Sequence, residues 1–162
     1  MNLVRTRLNF FGFDSRRLKG LFTGVKGPNF VAYSAKIMGD VKFATTCGKE
    51  GHQGTWVGFN VLVDGNYGLV KVGSCVRLAS YSYVSTHSGH LRTTEKGERV
   101  VGPVTIEDHC FIGPFALIEA NTVIGHHSIV GSHSRVRGVF PPYSFIVGNP
   151  ATAKENRTQA SE

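Results

Sequence analysis

The chain has 162 residues, 18% of them charged, with 20 glycines and a formal net charge of +7. That length makes one domain able to bury about two-thirds of its unfolded surface, and the composition excludes a disordered chain while suiting a corner-rich β protein. No apolar stretch approaches the length of a membrane span. The positive balance suits an anionic cofactor or a nucleotide- or lipid-linked sugar, and equally a nonspecific polyanion.

Residues 1–28 carry no repeat. The opening MNLVRTRLNFFGF has neither the continuous apolar core nor the cleavage site of a signal peptide, so the expectation is a cytoplasmic protein. Basic residues from Arg5 to Lys19 stand among Phe10, Phe11, Phe13 and Phe22. Such a mixture can touch nucleic acid or anionic lipid. The segment is read instead as a cap with solvated charges and no specific nucleic-acid partner, because a repeat stack left open exposes unpaired strand edges.

From Val31 a spacing of six takes over. Val31, Ile37 and Phe43 form one run, Val57 and Val63 a pair, and Val72, Leu78 and Val84 another run. The longest run is Ile106, Ile112, Ile118, Ile124, Val130 and Val136. Two residues before each of these stands something small or modest: Val104, Cys110, Ala116, Thr122, Ser128 and Ser134. A period of six fits neither the helix nor simple strand alternation. It fits a chain turning a corner every six residues, the parallel β-helix.

Three such sides make a triangular coil, and successive coils stack roughly 4.8 Å apart. The register predicts Ile106 on Ile124, Ile112 on Val130 and Ile118 on Val136. Glycines just after the aliphatics (Gly113, Gly125, Gly131) are expected to supply positive φ at corners. Breaks at Cys47–Gly54, Gly65–Tyr67 and Ser88–Gly102 are expected to be loops thrown out of the corners. Cys47, Cys75 and Cys110 form no CxxC pair. Cys110 falls in an inward slot and reads as a buried thiol, and reduced thiols are the simplest account of all three.

The run ending at Val84 leads into Ser85-Thr86-His87-Ser88-Gly89-His90, then a polar arm to Gly102-Pro103. A histidine where a rigid coil gives way to a long loop is well placed for function, and neutral imidazole accepts a hydroxyl proton at physiological pH. From position alone, an incidental polar corner residue is an equal reading of His87.

From Val70 onward the chain resembles the hexapeptide-repeat O-acetyltransferases, especially the maltose and galactoside acetyltransferases and related polysaccharide O-acetyltransferases. The matching pieces are STH at Ser85–His87, GPVTIEDHCFIG at Gly102–Gly113, TVIGHHSIVGSHS at Thr122–Ser134 and FPPYSFIVGNPA at Phe140–Ala151. The resemblance implies a left-handed, all-β parallel helix over 29–151, with an arm at 88–102 and a tail at 152–162. It implies acetyl transfer from acetyl-CoA to a hydroxyl of a sugar, nucleotide-sugar or lipid-linked sugar, in a homotrimer. His87 is then the general base and His90 the runner-up. Asn60 and Asp64 become acceptor-side groups, either of which orients the imidazole or binds a sugar hydroxyl. Gly113, Gly131 and Ser132 would face the donor's pantetheine arm, while Arg137, Lys154 and Arg157 would supply cations near its phosphates.

Pro114 departs from that family, standing where the galactoside enzymes have a serine that helps the oxyanion. It offers neither hydroxyl nor N–H, so oxyanion stabilisation falls to another backbone amide. Phe111 replaces the usual indole. A metal enzyme is the first rival, since the γ-class carbonic anhydrases share the fold. His109 and His127 are eighteen apart and should stack, but no pair here has those enzymes' ligand spacing, so no metal is assigned. An N-acetyltransferase for an amino sugar or antibiotic and a non-catalytic binding protein are further rivals.

Overall fold

The structure, a computed structural model, describes residues 3–6, 30–32, 34–44, 54–89 and 97–154. His90, Arg157, most of 1–28 and most of Cys47–Gly54 therefore lie outside the described residues.

Each hexapeptide places one branched aliphatic inward, and a strand of two or three residues forms on it before the chain turns. Phe111–Ile112, Leu117–Ile118 and Ile129–Val130 are such strands. They pair in parallel with the coil above, in the expected register: Ile106 on Ile124, Ile112 on Val130, Ile118 on Val136. One side of the triangle stacks Ile37, Val63, Val84, Ile118 and Val136, and the next Phe43, Val72, Ile106, Ile124 and Phe140. The third stacks Val31, Val57, Leu78, Ile112, Val130 and Ile146. All are buried, each contributing about 1.5–3 kcal/mol as the apolar side chain leaves water.

The small slots beside these columns are also buried, and their hydroxyls serve the corners. Thr122 Oγ1 donates to the Val136 carbonyl at 3.3 Å. Ser128 Oγ donates to Pro141 O at 3.3 Å and accepts the Ser144 N–H at 3.1 Å. Ser134 Oγ accepts the Gly148 N–H at 3.2 Å. Short polar side chains in these slots thus satisfy backbone groups that the turn removes from the sheet.

The corners correct the reading of the glycines. Gly113, Gly125 and Gly131 do not carry the positive φ. It falls on non-glycine residues, each three past an inward aliphatic: Asn60, Cys75, Tyr81, His109, Phe115, Asn121, His127, His133 and Tyr143. Histidine and asparagine are among the side chains that tolerate this region best. The glycines are needed for close approach instead: a Cβ at Gly113 would lie 2.7 Å from Ser132 N.

Corner side chains form two ladders. Tyr81, Phe115 and His133 stack with centroids 5.0 and 4.9 Å apart. His109, His127 and Tyr143 stack at 4.7 and 5.0 Å, as their spacing predicted for the two histidines. Each contact offsets part of the left-handed strain, at about 0.5–1.5 kcal/mol per aromatic pair.

Two other expectations change. Gly65–Tyr67 is no separate loop, because Leu62–Val72 runs through it as one strand. Its pairing with Lys36–Ala44 jumps from Gly39↔Gly65 to Val41↔Val70, so residues 66–69 bulge out. Cys75 is disulfide-bonded rather than reduced. It occupies a partly exposed corner, not an inward slot, which leaves its sulfur accessible to a partner.

Antiparallel strands cover both ends of the stack, Leu3–Thr6 on Val41–Ala44 and Ala151–Lys154 on Phe145–Gly148. Paired edges do not recruit further strands. Among the described residues no helix is long and apolar enough to cross a membrane.

Cys110 is free and 1% exposed, and burial pushes its thiol up to about 12. The neutral thiol is favoured in the fold, so its stability contribution is complete below the ordinary value of 9.0 and is lost as pH climbs from there towards about 12. Maleimide should therefore label Cys110 at pH 8 only after denaturation, and labelling at the rate of an exposed thiol would contradict the burial. A Cβ at Gly125 would run into the backbone of Pro141 and Pro142. Gly125→Ala should lower Tm by about 3–10 °C, the effect of about 1–3 kcal/mol of overpacking. Gly89→Ala, with open space around its Cβ, should leave Tm unchanged.

Candidate active site

Where the first side of the triangle ends, the bulge at 66–69 and both ends of the arm meet. Buried Thr86 ties them together. Its hydroxyl donates to Asp64 O at 2.8 Å and accepts the Tyr67 N–H at 3.2 Å. Its N–H donates to Asp64 O at 3.1 Å, and its carbonyl accepts the Gly102 N–H at 3.0 Å. The arm then closes on itself: His87–Ser88 pairs antiparallel with Val100–Val101. Asn121 Nδ2 fixes the return by donating to Val101 O at 3.1 Å.

This framework holds the His87 ring between a carboxylate and a phenol ring. Asp64 is 5% exposed, and its Oδ1 accepts the Asn66 N–H at 3.0 Å. Its Oδ2 faces His87 Nδ1 at 3.6 Å. That is longer than a hydrogen bond, so the buried Nδ1 has no partner within bonding distance. Tyr67 packs on the other side, ring centroids 4.5 Å apart, and the imidazole keeps 27% of its surface exposed. A carboxylate at Nδ1 selects the tautomer with the proton there and leaves a lone pair on Nε2.

The expected site residues separate into groups. Asp64 is brought to His87. Asn60 is not: it lies at the other end of the strand, four residues away or roughly 13 Å at strand rise, with its N–H on Ser34 Oγ at 2.9 Å. Gly113, Gly131 and Ser132 meet at a different corner, beside the Phe115–His133 stack. Arg137 shares the His87 corner, two coils from Ser85 in register, roughly 10 Å at sheet spacing. Lys154 lies on the terminal strand opposite Phe145. The sequence reading gave no role to Tyr67 or Arg99, which lie in segments without repeat. An aromatic residue inside a register break was the available signal for Tyr67.

Residues 103–138 match the model of the bacterial transferase hexapeptide family, six repeats. Those residues are hexapeptide repeats of that family's kind. The chain is 29% identical over 117 residues to a 2,3,4,5-tetrahydropyridine-2,6-dicarboxylate N-succinyltransferase of Xylella fastidiosa, covering 63% of this chain and 40% of that enzyme. A hexapeptide-repeat acetyltransferase of Vibrio cholerae superposes with a TM-score of 0.55 at 27% identity, over 63% of this chain and 58% of that one. An N-acyltransferase of Bacillus cereus, solved with dTDP-4-amino-4,6-dideoxyglucose and coenzyme A, gives a TM-score of 0.67 at 19% identity, over 94% and 93%. The fold is thus the all-β parallel helix expected from the repeat, with the left hand that the resemblance implied. The chain spans about two-fifths of the curated relative's length.

Thr86→Val keeps the shape of the site but removes the hydroxyl that serves Tyr67 N–H and Asp64 O. Leaving such groups unmet costs about 1–3 kcal/mol, so Tm should fall by several degrees. A variant melting with wild type would show that Thr86 does not hold the bulge.

Proposed function

We propose that the chain is an acetyl-CoA-dependent O-acetyltransferase acting on a hydroxyl of a sugar or surface-polysaccharide precursor, with His87 as general base. The observation that carries this reading is the buried His87 Nδ1 facing Asp64 Oδ2 at 3.6 Å. Asp64 holds the Nδ1 proton, and Nε2 takes the proton of the acceptor hydroxyl as its oxygen attacks the thioester carbonyl carbon. The tetrahedral intermediate collapses, the C–S bond breaks, and the CoA thiolate takes the proton from the imidazolium. No acyl-enzyme forms. An alcohol is a poor nucleophile until its proton is taken, an effect typically worth about 10²–10⁴-fold.

The donor belongs at the corner of Gly113, Gly131 and Ser132, with Arg137 and Lys154 as cations for its phosphates. The Ser132 N–H at this corner is absent from the backbone hydrogen-bond ladder among the described residues. That amide is the candidate oxyanion donor in place of Pro114. Within one subunit this corner and His87 stand apart. In a homotrimer, the donor corner of one subunit faces the His87 corner of the next.

N-acyl transfer is the second reading, favoured by the N-acyl chemistry of the Xylella protein. The same base serves an ammonium acceptor. Product lability separates the two: an ester is cleaved by mild alkali and an amide is not.

Thiol release from acetyl-CoA with a panel of sugars and nucleotide sugars tests the reading. His87→Ala should lower acceptor-dependent release by at least about 10²-fold. Equal rates would transfer the role to His90. Asp64→Asn should lower kcat by about 10-fold or more with little change in the KM for acetyl-CoA, because it removes a charge-assisted contact to the imidazolium. An unchanged kcat would detach Asp64 from the mechanism.

A further inference from the structure

Among the described residues, Arg99 is the basic side chain packed into the His87 cluster. It leaves the strand that pairs with His87–Ser88, one residue before Val100. Its guanidinium lies over the Tyr67 ring, 4.3 Å from the centroid, and Tyr67 in turn packs on His87 at 4.5 Å. The side chain is half-buried and its Nε is buried with no hydrogen-bond partner. No carboxylate among the described residues pairs with it: Asp64 faces His87 and Asn66, and Glu119 pairs with Arg135.

A buried guanidinium N–H left without a partner among the described residues is costly, and contact with one aromatic face offsets only part of that cost. Groups left so are explained by what binds them. Arginine's planar fork suits the two oxygens of a carboxylate or phosphate. We infer that Arg99 is the acceptor's anion-binding residue, and that the acceptor is an acidic sugar carrying a carboxylate or phosphate beside the reacting hydroxyl. Arg99 and His87 both pack on Tyr67, so an anion on the guanidinium lies within one or two side-chain contacts of the imidazole. A hydroxyl on Nε2 of His87 and an oxyanion on Arg99 are thereby assigned to one acidic acceptor.

This inference rests on the acyltransferase reading for the role of His87, but a binding measurement tests it separately. The imidazole proton signals of His87, assigned by their loss in His87→Ala, are followed while glucuronate, glucose 6-phosphate or glucose is added to the full chain. A saturable shift is expected with one or both acidic sugars and not with glucose. The choice between glucuronate and glucose 6-phosphate tells a carboxylate site from a phosphate site. In Arg99→Gln the acid should bind at least about tenfold more weakly, the effect of losing a charge-assisted hydrogen bond. Arg99→Lys should keep part of the affinity, and serves alone if the glutamine variant does not fold. Equal binding of glucose, unchanged binding in both Arg99 variants, or no saturable shift with either acid would overturn the assignment. If acids bind through Arg99 but no acceptor ever releases CoA, the acyltransferase reading fails and the binding site stands. If neutral sugars turn over regardless of Arg99, the reverse holds.

Discussion

Everything in this molecule depends on the parallel backbone ladder between coils eighteen residues apart. Ile106 to Ile124, Ile112 to Val130 and Ile118 to Val136 each lock one side of the triangle to the next coil. A slip by one residue would turn the whole aliphatic column outward. The register is therefore fixed at every side, and anything set on a corner inherits that rigidity. His87 gains its fixed position this way: Ser85 pairs with Asp64 in the ladder, and Thr86 bridges from the same strand to the bulge.

The corners show how the constraint is met. Most place one residue in the left-handed region three positions after the inward apolar side chain, and several bring the backbone just after that side chain close to the next coil. Where that approach is tightest, as at Gly113 and Gly125, glycine stands there, because a Cβ would meet the neighbouring coil's backbone. The left-handed position is taken by histidine, asparagine and aromatic residues, whose stacked rings run down the outside of the helix. The histidine-rich corners thus have a structural account.

The fold was legible because a repeat of six repeats its physics as well: inward aliphatics, small slots and stacking partners all follow from spacing. The glycine assignment failed because spacing shows that a small residue is needed without showing whether φ or crowding demands it. The site was legible only in part. His87 stood out as the histidine where the repeat stops, and Asp64 as a polar residue near the family's acceptor side. The choice between Asp64 and Asn60 depends on the bulge at 66–69 and on Thr86, neither of which has a periodic signature. Tyr67 and Arg99 come together from segments far apart in sequence, joined only by the antiparallel closure of the arm. Cys75 was misread as reduced because cysteines far apart in sequence, with no CxxC pair, carry no signal of which ones the fold brings together.

The central claim is that the stack presents His87 to an acceptor as a base held by Asp64. The nitrogen NMR shifts of the His87 ring, in wild type and in Asp64→Asn, test it most directly. The account predicts that neutral His87 carries its proton on Nδ1, with an unprotonated Nε2, and that Asp64→Asn weakens this preference. A proton found on Nε2 in the wild type would leave no lone pair facing the acceptor and would contradict the account.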